Sequence, residues 1–176
     1  MRVAAMGSVA MGHELMATPL QLAQAFGIIA NNGALVKPRI VKARQRPGSA
    51  QREVIAPAAP EQRIKPETSI ELRRMLEQVV LEGTGKGAAL KKGYTVAGKT
   101  GTAQMVDART GKYLHRYNSS FVGFAPVANP AVVVSVTING SYKYGGVTAA
   151  PVFREVAAAA LRTLGVPKDL VEEEEP

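Results

Sequence analysis

Three runs rich in β-branched and aromatic residues, Tyr94 to Val106, Ser120 to Ala125 and Val132 to Ile138, are separated only by "DARTGKYLHR" and "PVANP". A parallel neighbour needs a crossover of about a dozen residues or more, usually a helix. Neither connection holds one, so the runs are expected to form an antiparallel meander. After them, "TAAPVFREVAAAALRTLGVP" predicts a closing helix in which Val152, Val156, Ala159, Ala160 and Thr163 share a face, ended by Gly165 and Pro167.

The first half reads as helical. In "ATPLQLAQAFGIIANNG", Thr18 is placed to cap and Pro19 suits the first helical position; Leu22, Ala25, Phe26, Ile29 and Ala30 then recur at helical spacing up to Gly33. From about Pro66, Leu72, Met75, Leu76, Val79 and Val80 form an i, i+3, i+4, i+7, i+8 stripe that stops at "EGTGKG". Between the helices lies a Pro- and Arg-rich excursion whose β-prone pieces, Arg39 to Lys42 and Val54 to Ala56, are expected to pair as a ribbon. The expected class is α+β, an antiparallel sheet flanked by helices, in one domain over residues 1–167. Residues 168–176 are expected to be an acidic, disordered tail.

At 176 residues and 46% hydrophobic, the chain can bury a core. No run approaches the roughly 20 apolar residues of a membrane span. "MRVAAMGSVAMGHE" has no secretory apolar region with a cleavage site, so no anchor or export signal is expected within these residues. With no cysteine, disulfides and thiolate metal sites are excluded, and His13 and His115 lie outside any zinc pattern; no metal or cofactor is expected. "KDLVEEEEP" sets one Lys against five acids, net −4, so the +8 of the whole chain leaves +12 on residues 1–167. The basic residues have no interleaved aromatics for base stacking, and a solvated basic surface is expected rather than a nucleic-acid site.

One stretch fits two catalytic motifs. "GYTVAGKTGTA" satisfies G-x-x-x-x-G-K-[ST], the phosphate loop of nucleotide hydrolases, through Gly93, Gly98, Lys99 and Thr100, and it contains K-T-G-T from Lys99 to Thr102. A phosphate loop needs a buried strand before it and a helix starting at its Lys-Thr. Here "KGAALKK" precedes it and "GTAQMV" reads as strand beyond it, so the hydrolase is a remote alternative. K-T-G-T asks for the strand context that the residues predict. Lys99 gives a positive charge beside a serine nucleophile, Thr100 and Thr102 aim alternate hydroxyls at an anionic substrate, and Gly101 admits the substrate backbone.

"GHELMATPLQLAQAF", "NNGALVKPRIV", "YTVAGKTGTAQ", "FVGFAPVANPAVVVSVTING", "YGGVTAAPVF" and "ALRTLGV", in this order and spacing, resemble the C-terminal part of the transpeptidase domain of class B penicillin-binding proteins, the septal, cell-division branch in particular. The resemblance covers nearly the whole chain. It implies a partial penicillin-binding-protein and β-lactamase-like fold lacking its N-terminal portion, and a serine D,D-transpeptidase that acts on D-Ala-D-Ala stem peptides of peptidoglycan and is acylated by β-lactams. It places Lys99 and Thr102 in catalysis, with the Thr102 N–H as half of the oxyanion hole. Thr100, Gly101, Thr102, Tyr144, Gly145 and Gly146 would border or bind the substrate. It also implies work on the periplasmic side of the cytoplasmic membrane, with an anchor in a parent protein.

The departure lies in the serines. Ser8, Ser49, Ser69, Ser119, Ser120, Ser135 and Ser141 include no S-x-x-K and no S-x-N. The nucleophile is expected outside this chain, in an N-terminal remainder of the domain that would be its partner, and the chain alone is expected to be inactive. The alternative is a basic interaction module that keeps the fold without the chemistry.

Overall fold

The computed structural model describes residue 12, residues 15–90 and residues 93–170. Thr18 opens helix α1 (Pro19–Ala30) with a capping box: its hydroxyl accepts from the Gln21 N–H at 3.2 Å, and the Gln21 side chain accepts from the Thr18 N–H at 2.8 Å. Gly33, at φ 87°, ends the turn after α1, and a Cβ there would fall 2.1 Å from the Ile64 carbonyl oxygen. That close approach joins β1 (Ala34–Leu35) to β4 (Glu61–Gln62), a two-residue pairing too short to leave an alternation signal in the sequence.

The expected ribbon is present but displaced toward its tip. Strands β2 (Ala43–Gln45) and β3 (Arg52–Val54) pair antiparallel, Ala43 opposite Val54 and Gln45 opposite Arg52, rather than through Arg39 to Lys42 and Val54 to Ala56. The turn at Pro47 and Gly48, with Gly48 at φ 77°, sets this register, which β-propensity alone does not locate.

Helix α2 (Pro66–Leu81) follows the predicted stripe except at Met75, which is 62% exposed. Its most buried side chains include Ser69 and Arg73. Arg73 donates to the carbonyls of Ile29 (3.0 Å), Ala30 (2.6 Å) and Ala128 (3.2 Å) and to Asn32 Oδ1 (2.7 Å), while the Ser69 hydroxyl donates to Ile29 at 2.6 Å. The guanidinium therefore satisfies the carbonyls that the end of α1 leaves open.

The meander forms as predicted: β5 (Ala97–Val106), β6 (Tyr113–Ala125) and β7 (Val132–Ser141) are antiparallel in that order. β5 begins at Ala97 rather than Tyr94. β6 begins at Tyr113 rather than Ser120, because Asp107 closes a tight turn, accepting from Arg109 N–H at 2.8 Å and bonding Lys112 through its backbone at 2.9 Å.

Helix α3 (Gly145–Thr163) covers one face of the sheet through Ala149, Ala150, Phe153, Ala157 and Leu161, with Phe153 4.8 Å from Phe121 between ring centroids. The face expected to be buried is the outward one: Val152 and Val156 are 43% and 46% exposed, and Ala159 and Thr163 face solvent. Small apolar residues on both sides of this helix made its periodicity ambiguous. On the other face of the sheet, Ala97, Phe124 and Val127 pack with Phe26 and Ile29 of α1 and Leu76 of α2. The start of the expected disordered tail is bonded: Asp169 and Leu170 donate backbone N–H groups to the Gly93 carbonyl at 2.9 and 3.2 Å. Glu172 to Glu175 lie outside the described residues, as does His13.

Candidate active site

Among the described residues β5 is an edge strand, paired with β6 on one side. Its register places Lys99 opposite Val122, Thr100 opposite Phe121, Gly101 opposite Ser120 and Thr102 opposite Ser119. Alternation then splits the motif: Thr100 and Thr102 share the α3 face with Phe121 and Ser119, and Lys99 and Gly101 share the opposite face. The free edge, where an edge strand leaves alternate backbone N–H and C=O groups unpaired, runs between them.

Lys99 is exposed, its Nζ 3.1 Å from the Thr100 carbonyl oxygen. Both hydroxyls already have partners. Thr100 Oγ1 lies 2.8 Å from Thr84 Oγ1, and Thr102 Oγ1 accepts the Gly145 N–H at 3.2 Å. Gly145 and Gly146 allow the start of α3 to sit this close. A Cβ on Gly145 would fall 2.4 Å from the Ser120 carbonyl oxygen and 2.5 Å from that of Gly101, and one on Gly146 would fall 2.3 Å from the Thr84 carbonyl oxygen. Gly101 faces Ser120 Oγ, 2.3 Å from where its own Cβ would be.

Tyr144, the residue before α3, is 60% exposed and meets Tyr117 edge to face at 5.2 Å; its hydrogen bond to Tyr117, and then its charge, raise the Tyr117 phenol above its ordinary pKa. The site thus joins β5, the turn after α2 and the positive end of α3, an arrangement suited to an anionic group at the strand edge. Thr84 escaped the sequence reading because "EGTGKG" registered only as a helix stop. The phosphate-loop alternative is overturned here: no helix begins at Lys99 and Thr100, which lie inside a strand that continues to Val106.

A family model described as the penicillin binding protein transpeptidase domain matches residues 3–158. The chain belongs to this family. Its relatives place it in class B. Stage V sporulation protein D of Bacillus subtilis (strain 168) is 40% identical over 164 residues, covering 90% of this chain and 25% of that protein. Peptidoglycan D,D-transpeptidase FtsI of Escherichia coli (strain K12) is 36% identical over 163 residues, again 90% and 25%. Penicillin binding protein 3 of Mycobacterium tuberculosis, solved in complex with ampicillin, matches with a TM-score of 0.79 at 32% identity, over 92% of this chain and 38% of that one. The TP domain of Burkholderia pseudomallei penicillin-binding protein 3 matches at 0.76 and 32%, over 97% and 50%. This transpeptidase-family chain therefore spans 25% to 38% of the length of the curated relatives it matches.

No described serine of the chain stands in a nucleophile motif. Ser119 is buried with its hydroxyl donating to the Lys143 carbonyl at 2.6 Å, as Ser141 does at 2.7 Å; Ser49 accepts from Gln51 N–H at 3.0 Å, and Ser135 is enclosed in β7. Ser8 lies outside the described residues.

Proposed function

We propose that this chain supplies the K-T-G-T wall of a peptidoglycan D,D-transpeptidase, and that an S-x-x-K serine and an S-x-N motif from a segment outside these residues complete the site. In the assembled domain, meaning this chain together with that serine-bearing part, the serine attacks the penultimate D-alanine carbonyl of a stem peptide. The C–N bond to the terminal D-alanine breaks, the leaving amine takes a proton, and the acyl group passes to an amine on a neighbouring strand. β-Lactams acylate the same serine by opening their ring amide. Lys99 contributes positive charge beside the nucleophile, Thr100 and Thr102 bind the substrate carboxylate, and the Thr102 N–H is half of the oxyanion hole, where one donor is worth about 3 kcal/mol. Gly101 leaves room for the substrate backbone, and Tyr144, Gly145 and Gly146 border the cleft.

The single observation that carries this reading is the free edge of β5, which presents Lys99 to Thr102 between Thr84 and the start of α3. The outer edge of β7 and the exposed valines of α3 are where the serine-bearing part packs. From the likeness to peptidoglycan D,D-transpeptidases we assign the work to the outer face of the cytoplasmic membrane; among the described residues no helix is long and apolar enough to cross a membrane. The test is fluorescent penicillin on the assembled domain. Covalent labelling supports the enzyme; a folded assembled domain that takes no label is instead an interaction module.

A further inference from the structure

We infer that Asp169 is a positioning residue for the K-T-G-T strand, an inference that rests on the transpeptidase reading above. Its carboxylate accepts the Thr95 N–H at 2.8 Å through Oδ1 and the Thr95 hydroxyl through Oδ2. With its proton committed to Asp169, the Thr95 oxygen accepts the Val127 N–H at 2.8 Å. Thr95 stands just before β5 and Val127 just after β6, beside the cross-strand pair of Ala97 and Phe124. One carboxylate thus ties the entry of the motif strand to the exit of its neighbour β6.

Two further contacts fasten the same entry to the chain beyond α3. The Tyr94 hydroxyl donates to the Val166 carbonyl at 2.6 Å, and the Gly93 carbonyl accepts the backbone N–H groups of Asp169 and Leu170. At its other end α3 rests on Thr102 through Gly145. Helix α3 and the residues after it therefore hold β5 at two points, Gly93 to Thr95 and Thr102, and Lys99 lies between them. Sliding Lys99 along the sheet requires breaking one of these attachments. Val166, Asp169 and Leu170, which make the attachment at Gly93 to Thr95, lie beyond the residues matched by the family model, 3–158.

The experiment uses the assembled domain with Asp169→Asn, Thr95→Val and Thr95→Ser, and reads the fluorescent-penicillin acylation rate well below every unfolding midpoint, with amide exchange in β5 and in α1. Asp169→Asn offers N–H groups where the Thr95 hydroxyl needs an acceptor. It should slow acylation about tenfold and speed exchange at 97–102 while leaving α1 unchanged. Thr95→Val should match it, the double variant should be no slower than either, and Thr95→Ser should behave as the parent. Should one of the first two fail to fold, the other decides. Acylation at the parental rate with unchanged β5 exchange overturns the inference, whatever happens to the midpoint. A parent that takes no penicillin label sinks the transpeptidase reading, and β5 exchange in the variants then decides the positioning role by itself.

Discussion

The hydroxyls of Thr84 and Thr100 lie 2.8 Å apart, joining the turn that ends α2 to the second residue of the motif. If Thr84 donates, the proton of Thr100 is free to point at a carboxylate in the cleft. Thr84→Val should therefore slow β-lactam acylation of the assembled domain about threefold to tenfold, the worth of roughly one hydrogen bond, and Thr84→Ser should not. Equal rates for all three proteins would remove Thr84 from the site.

Lys99 is exposed with its Nζ on the Thr100 carbonyl oxygen, so its charge is available to the cleft. Lys99→Ala in the assembled domain should slow acylation by about two to three orders of magnitude, since it removes a charge acting in the transition state. Stopped-flow or gel-based labelling measures it, and near-normal acylation would exclude Lys99 from the mechanism.

The 176-residue chain by itself should form no acyl adduct, because no serine in it has a motif partner. It should also self-associate, since among the described residues the outer edge of β7 is unpaired and Val152 and Val156 of α3 are partly exposed. Adding the serine-bearing part should suppress association and restore labelling. Intact mass spectrometry checks the first point and light scattering the second; a penicilloyl increment on the chain alone would reveal a nucleophile within these residues.

Arg73 is 7% exposed and bonded to three backbone carbonyls and one side-chain amide oxygen. Arg73→Met removes the guanidinium from the Ala30 and Ala128 carbonyls and Asn32 Oδ1, while Ile29 keeps the Ser69 hydroxyl, and should cost about 3 kcal/mol of stability, read from denaturant unfolding. A change below about 0.5 kcal/mol would mean that water takes over the carbonyls.

Burial, and then the charge of Asp169, raise the Glu77 carboxyl above its ordinary pKa. A raised carboxyl binds its proton more tightly in the folded state, so its ionisation opposes folding as pH rises through that range, and protonation relieves the penalty as pH falls. Glu77→Gln should raise stability at neutral pH by up to about 0.5 kcal/mol and lose its advantage in acid. Unfolding midpoints of the two proteins from about pH 3 to about pH 8, running from below the ordinary carboxyl pKa to past neutrality, measure it.

Much of the architecture was legible because its signals are local. Short connectors dictated the meander, and Thr18 with Pro19 fixed the start of α1. K-T-G-T could be recognised from residue types alone, and its placement on a strand followed from the flanking β-prone run. What escaped was tertiary. Arg73 takes its role only from the α1 carbonyls brought over it, and the Val152 face expected to be buried in α3 is the outward one, because small apolar residues on both sides blur its periodicity. Thr84 and Asp169 carry no motif; each acquires its role only where distant segments meet.

The close seating of α3 on the strand edge also constrains how this site can evolve. At Gly145 and Gly146 any side chain would run into backbone oxygens, which cannot swing aside as a side chain can. An inhibitor that leans on this corner faces a wall that mutation cannot readily reshape. Resistance arising within these residues would instead be channelled to the side chains around it, to Thr84, Tyr117 and the exposed ring of Tyr144, where a substitution alters the shape of the cleft without prying the helix from the sheet.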